Sequence, residues 1–217
     1  MIVAIDGPSA SGKSTIGRML AHHLKLPLVD TGLMYRAVAV LARDAGLTPA
    51  EEERLGSLAR DVEIEVNTTT AEGRHWEVRG GGVDLTERVF DPQLAPLLAR
   101  VSQVRGVRDA LVARQRRYGD GVVMVGRDIG TVVFPQAEVK LFITASDEVR
   151  RKRRASQRRE ADHGLMKGEI SDRDAADKGR AISPLRVAED AYTIDTDDRS
   201  PDQVFAEVLR LIPPADG

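Results

Sequence analysis

The chain has 217 residues, 41% hydrophobic and 30% charged, with a formal net charge of −2 and no cysteine. That make-up is ordinary for a water-soluble globular protein, and it excludes disulfides, thiolate metal sites and a global pull towards nucleic acid or membrane. No apolar run approaches the ~18 residues of a membrane span, and the N-terminus lacks the basic flank and cleavage site of a signal peptide, so a cytoplasmic protein is expected.

The first residues organise the rest. Ile2, Val3 and Ile5 form an apolar, β-branched run that predicts a fully buried strand. Ile16, Met19, Leu20 and Leu24 then recur at helical spacing. Between them Gly7-Pro8-Ser9-Ala10-Ser11-Gly12-Lys13-Ser14, followed by Thr15, fits Gly-x-x-x-x-Gly-Lys-[Ser/Thr]. The two glycines let successive N–H groups turn into one concavity, which opens at a helix N-terminus that favours an anion. Lys13 adds a charge for the outer phosphates, and the Ser14 hydroxyl suits Mg²⁺. Residues 7–15 therefore predict a nucleoside-triphosphate site.

Leu26-Pro27-Leu28-Val29 predicts a second strand, ending at Asp30-Thr31-Gly32. Asp30 or Thr31 can cap the next helix, in which Met34, Val38 and Leu41 share a face. Arg36 lies off that stripe. It is either solvated or a phosphate ligand at a strand's carboxyl end. Residues 50–61 read as a charged amphipathic helix, after which the period changes. Val62 to Val66, Trp76 to Arg79 and Val83 to Leu85 alternate, with glycine- and threonine-rich turns between them. They predict a small antiparallel sheet inserted in an α/β chain, with Trp76 in its packing.

From Leu94 to Tyr118 the pattern is helical and basic, with Gly106 as an expected interruption. Val122-Val123-Met124-Val125 and Lys140-Leu141-Phe142-Ile143-Thr144 predict two further strands. Strands alternating with helices predict one parallel sheet covered on both faces. Residues 148–159 carry seven basic side chains. They read as an arginine-bearing lid over phosphates, as solvated surface, or as a nucleic-acid patch. No aromatic is interleaved for base stacking, and the rest of the chain cancels the charge. Arg173, Asp177 and Arg180 fall at i, i+4 and i+7, either as an ion-pair ladder or as a set suited to a phosphate and a ribose hydroxyl. Tyr192-Thr193-Ile194-Asp195 is a last strand, and Ser200-Pro201 starts a C-terminal helix.

Neither Asp-x-x-Gly nor [Asn/Thr]-Lys-x-Asp occurs, which argues against a GTPase. A small phosphotransferase with two nucleotide sites is the leading class, and a nucleotide-dependent RNA-associated factor using the basic run is the alternative. Asp30-Thr31-Gly32-Leu33-Met34-Tyr35-Arg36, Gly126-Arg127-Asp128-Ile129-Gly130-Thr131 and Arg173…Asp177…Arg180 with Ser183-Pro184, taken with the phosphate-loop motif, are more specific. On these motifs the chain resembles the bacterial-type cytidylate kinases from residue 2 to about residue 212.

The resemblance implies a P-loop nucleoside monophosphate kinase fold, α/β, with a five-stranded parallel sheet between helices. It implies one domain: a core of residues 1–61, 93–147 and 173–217, a β-rich monophosphate-binding insert at about 62–92, and a lid at about 148–172. ATP with Mg²⁺ would be held by Gly7, Pro8, Ser9, Ala10, Ser11, Gly12, Lys13, Ser14, Thr15 and Arg150, the metal at Ser14. Thr31, Arg36, Arg127 and Arg180 would hold the substrate phosphate, and Tyr35, Arg173 and Asp177 the ribose. Ser102, Arg108 and Asp128 would read the cytosine edge. Lys13, Arg127, Arg180, Arg153 and Arg154 would carry catalysis. The partners implied are the small molecules CMP, dCMP and ATP, with a monomeric protein and no nucleic acid or membrane. Two departures stand out: no proline occurs between Ser102 and Arg108, and Gln136 replaces the aspartate that commonly follows Phe-Pro.

Overall fold

The computed structural model describes residues 1–68, 76–160 and 185–213. Arg173, Asp177, Arg180 and the expected break at Ser183-Pro184 lie outside the described residues. β1 (Ile2–Asp6) is buried along its whole length at the centre of a five-stranded sheet. β6 (Val122–Val125) and β7 (Val139–Thr144) flank it, with β2 (Leu28–Asp30) beyond β6 and β8 (Tyr192–Asp195) beyond β7. Every pairing is parallel, as the alternation of strands and helices predicts. The inner strands β1 and β6 are buried along their length and need no polar side, which is why their sequences are nearly continuous apolar runs, whereas the edge strand β8 buries only Ile194.

Alternate residues of β1 feed two separate apolar layers. Ile2 and Ala4 enter the layer completed by α2 (Thr31–Asp44), α3 (Glu52–Asp61), α4 (Ala95–Val101) and α5 (Arg105–Gln115). Val3 and Ile5 enter the layer completed by α1 (Lys13–Leu24) and α7 (Pro201–Leu209). α7 starts on the expected cap: the Ser200 hydroxyl accepts from the Gln203 N–H, the Gln203 side chain answers at Ser200, and Pro201 occupies the first turn.

A second, three-stranded antiparallel sheet joins β3 (Ile64–Thr68), β4 (Trp76–Gly80) and β5 (Val83–Asp84). Val66 pairs with Val78, and both are buried on the α2 side of the molecule.

The helical stretch after Leu94 breaks elsewhere than expected. Helix α4 stops at Ser102-Gln103, whose side chains both donate to the Ala99 carbonyl, and Val104 is extended. Gly106 lies inside α5. It is there for close approach, since a Cβ on it would stand 3.1 Å from the Gly56 Cα of α3. No helix among the described residues is long and apolar enough to cross a membrane.

Candidate active site

The carboxyl ends of β1, β2 and β6 open onto one cleft of about 300 Å³, where open α/β sheets place their ligands. Its first half is the phosphate loop. Gly7 has φ +143°, and a side chain there would meet the Ile143 carbonyl of β7 at 2.0 Å, so the loop lies hard against the sheet. Gly12, at φ +100°, ends the loop, and no side chain caps α1. The N–H groups of its first turn therefore face the cleft as anion donors. Lys13 and Ser14 line the cleft with Ser9, Ala10, Gly12 and Thr15. Lys13 Nζ donates to the Pro8 carbonyl at 2.5 Å, and the residue is only 6% exposed. Its stem is therefore part of the packing.

The Ser14 hydroxyl donates to Asp30 at 2.9 Å, and the other oxygen of Asp30 caps α2 by accepting from the Gly32 N–H at 3.0 Å. Asp30 thus fixes the Ser14 rotamer with its oxygen lone pairs left for a cation. The sequence motif names Ser14 but carries no trace of this partner.

The second half of the cleft collects Thr31, Tyr35 and Arg36 from α2, Arg108 from α5, and Arg127 and Asp128 from the loop after β6. Arg108 is 2% exposed and donates to Asp128 at 2.5 Å and to the Ser102 carbonyl at 3.1 Å. Its guanidinium lies 5.4 Å from the Tyr35 ring centroid, a cation–π distance. Arg36 donates to the Val89 carbonyl at 2.8 Å, and the Thr31 hydroxyl donates to the Val125 carbonyl at 3.0 Å. Ser102 does not line the cleft: its hydroxyl donates to Ala99, and its carbonyl supports Arg108. Arg180, Arg173 and Asp177 lie outside the described residues.

α6 (Asp147–Glu160) carries the basic run, and its arginines divide by direction. Arg150 is buried and donates to the carbonyls of Ser9 and Ala145 and to Asp147. Arg153 donates to the Thr196 hydroxyl and carbonyl and to the Ser11 carbonyl. Both brace the phosphate loop from behind. Arg154 lines the cleft. Lys152 pairs with Glu148 along the helix. The run is therefore not one solvated cationic face.

Two aromatic residues that the sequence did not single out for the site also line it: Trp76, at the start of β4, and the exposed Phe90. Trp76 packs against both apolar layers, as expected of a sheet residue, yet also lines the cleft. Alternation identifies the strand but cannot say what lies across from it.

Asp6, the last residue of β1, is buried and accepts from the Ile129 and Gly130 N–H groups, each at 2.8 Å. Burial, helped by the charge of Asp128, pushes its carboxyl up from the ordinary 3.8 to about 6, against the pull of the two N–H groups and Lys13. The folded chain then holds this proton more tightly than the unfolded chain, so its contribution to stability falls as pH rises from about 4 to about 6. Wild type should lose about 2 kcal/mol between about pH 4.5 and 7 that Asp6→Asn does not lose, read by urea unfolding of both proteins.

Comparison with known proteins agrees with this geometry. A sequence model of the family described as Cytidylate kinase matches residues 3–214. The chain is 43% identical to the cytidylate kinase of Syntrophotalea carbinolica, covering 98% of this chain and 92% of that one. It is 39% identical to the cytidylate kinase of Bacillus subtilis over 97% of this chain and 95% of that one. A bifunctional pantoate ligase/cytidylate kinase of Synechococcus sp. is 39% identical over 97% of this chain, which spans 40% of that relative's length. A phosphate loop, a facing cluster of arginines and a match that runs almost from end to end lead to one conclusion: the chain belongs to the cytidylate kinase family.

Proposed function

We infer that the protein transfers the γ-phosphoryl group of ATP to CMP and dCMP, giving ADP and CDP or dCDP, in the recycling of pyrimidine nucleotides. The observation that carries this reading is a single cleft with a phosphate loop in one half and the Arg108–Asp128 pair, Arg36 and Arg127 in the other. Five cationic side chains of the described residues face two carboxylates there, a balance suited to several phosphates at once.

The acceptor needs no general base, because a monophosphate is already anionic near neutral pH, with a second pKa of about 6. The chain's contribution is in-line positioning and charge neutralisation. Lys13 and the α1 N-terminus hold the donor's outer phosphates; Arg36 and Arg127, with Arg180, hold the acceptor phosphate; Arg154 faces the transferred group. Arg108 and Asp128 present a paired donor and acceptor to the base edge, and Tyr35, Arg173 and Asp177 surround the ribose. The donor set fits Mg²⁺: Ser14 offers a hydroxyl oxygen whose proton is committed to Asp30. When bound, Mg²⁺ would supply further neutralisation of phosphate charge.

In this reading residues 1–61, 93–147 and 173–217 are the core, about 62–92 the acceptor insert and about 148–172 the lid, and the protein is a cytoplasmic monomer acting on small molecules. A coupled ADP-release assay over a panel of nucleoside monophosphates tests it. Saturable stimulation by CMP and dCMP is expected. Equal stimulation by UMP or dTMP, or none by any monophosphate, would overturn it. The division of labour on α6 is also measurable. Arg154→Glu should lower kcat by about tenfold or more with KM for CMP unchanged, whereas Arg153→Glu should lower Tm by breaking the Thr196 and Ser11 contacts. A CMP affinity that falls as far as turnover in Arg154→Glu would move that residue into the acceptor site.

A further inference from the structure

A charged residue ends an otherwise apolar strand at the centre of the molecule. If filling space were its only task, an apolar side chain would fill it without the cost of burying a carboxylate. Both oxygens of Asp6 are instead spent on N–H groups more than a hundred residues away, those of Ile129 and Gly130. These are the first two N–H groups after Asp128, so the carboxylate grips the turn directly behind Arg127 and Asp128. Asp128 in turn holds Arg108, which lies over Tyr35.

The turn is also closely packed where it meets Asp6. A Cβ on Gly130 would stand 3.2 Å from Lys140 Cδ and 3.5 Å from Asp6 Oδ2. Lys140 is itself fixed, with Nζ at 2.5 Å from the Pro135 carbonyl and 2.7 Å from Asp190. Among the described residues the charges acting on Asp6 are thus Lys13 of α1 and Asp128 of the turn. The backbone adds one more tie, since the Gly126 N–H donates to the Ile5 carbonyl at 2.9 Å.

We propose that Asp6 is a positioning residue for the acceptor half of the cleft: by holding the Ile129 and Gly130 N–H groups it sets the turn that delivers Arg127 and Asp128, and so fixes the acceptor site relative to the phosphate loop that begins at the next residue. The proposal rests on the reading of that half as the CMP site. Asp6 touches no substrate and acts only through the turn. An asparagine in its place keeps one acceptor and turns an N–H₂ group towards the second N–H, so the turn must shift.

The test is a comparison of KM for CMP and KM for ATP in wild type and Asp6→Asn. An increase of about tenfold in KM for CMP, with KM for ATP within about twofold, is the expected result for one lost hydrogen-bonding partner behind the acceptor site. A lower Tm with both KM values unchanged would make Asp6 merely structural and overturn the proposal. An equal rise in both would place its effect on the phosphate loop and overturn it too. Should Asp6→Asn not fold, Gly130→Ala presses on the same turn, its added methyl meeting the Lys140 stem and Asp6, and an unchanged KM for CMP in that variant would overturn the proposal. The functional reading fails separately, if wild type itself does not phosphorylate CMP.

Discussion

Replacing Lys13 with alanine is expected to lower kcat by about 10²–10³-fold, the loss typical of one electrostatic donor that acts at the transition state. Lys13 is the cation that the phosphate-loop motif itself places, at the first position of α1, where the uncapped helix end already favours phosphate. Burial changes what else the substitution does. The residue is 6% exposed with Nζ on the Pro8 carbonyl, so alanine removes packing and an internal hydrogen bond together with the charge. A lower Tm is therefore expected beside the lower kcat. Lys13→Met separates the two effects, because it keeps the unbranched stem: Tm should recover while kcat does not. Circular-dichroism melts and saturating-substrate kinetics on both variants measure this. A Lys13→Ala protein retaining more than about a tenth of wild-type kcat would remove the lysine from the transition state.

The second large effect concerns stability. Asp128→Ala leaves the guanidinium of Arg108 buried without its carboxylate, and removing one partner of such a pair costs about 3–5 kcal/mol. The site offers little to replace the lost partner. Arg108 is 2% exposed, and among the described residues its other acceptor is the Ser102 carbonyl and its Nε has no hydrogen-bond partner. Urea unfolding of Asp128→Ala measures the cost. A loss under about 1 kcal/mol would mean that the pair behaves like an exposed surface pair. Combining Arg108→Met with Asp128→Ala should recover part of the stability, since the stranded charge is gone. It should not recover CMP binding, because the base edge then meets neither donor nor acceptor. The pair carries a stability cost that a purely apolar wall would avoid, as expected where a buried polar group serves recognition.

Some of this was legible in the chain itself. The buried strands, the turn at Gly7 and Gly12 and the cap at Ser200 are local, because backbone sterics, hydrophobic periodicity and short-range hydrogen bonds act over a few residues. Their placement by sequence agrees with the five-stranded parallel sheet, and the motifs at Asp30 to Arg36 and Gly126 to Thr131 pointed to the walls of one cleft. Tertiary structure decided the rest. Gly106 reads as a helix breaker, but it is the contact point with Gly56, a property of two helices and not of one. Ser102 is near Arg108 in sequence, yet its carbonyl and not its hydroxyl serves that residue, because α4 ends there and turns the side chain back on Ala99. Arg153 and Arg154 are neighbours that diverge, one bracing the phosphate loop and the other lining the cleft, since consecutive helix positions point about 100° apart. The hold of Asp6 on the turn after Asp128, the hold of Asp30 on Ser14 and the place of Trp76 at the cleft depend on partners distant in sequence. Composition and periodicity determine which segments are buried and in what form; which buried or half-buried group meets which depends on how separate segments are brought together, and that is written in the fold.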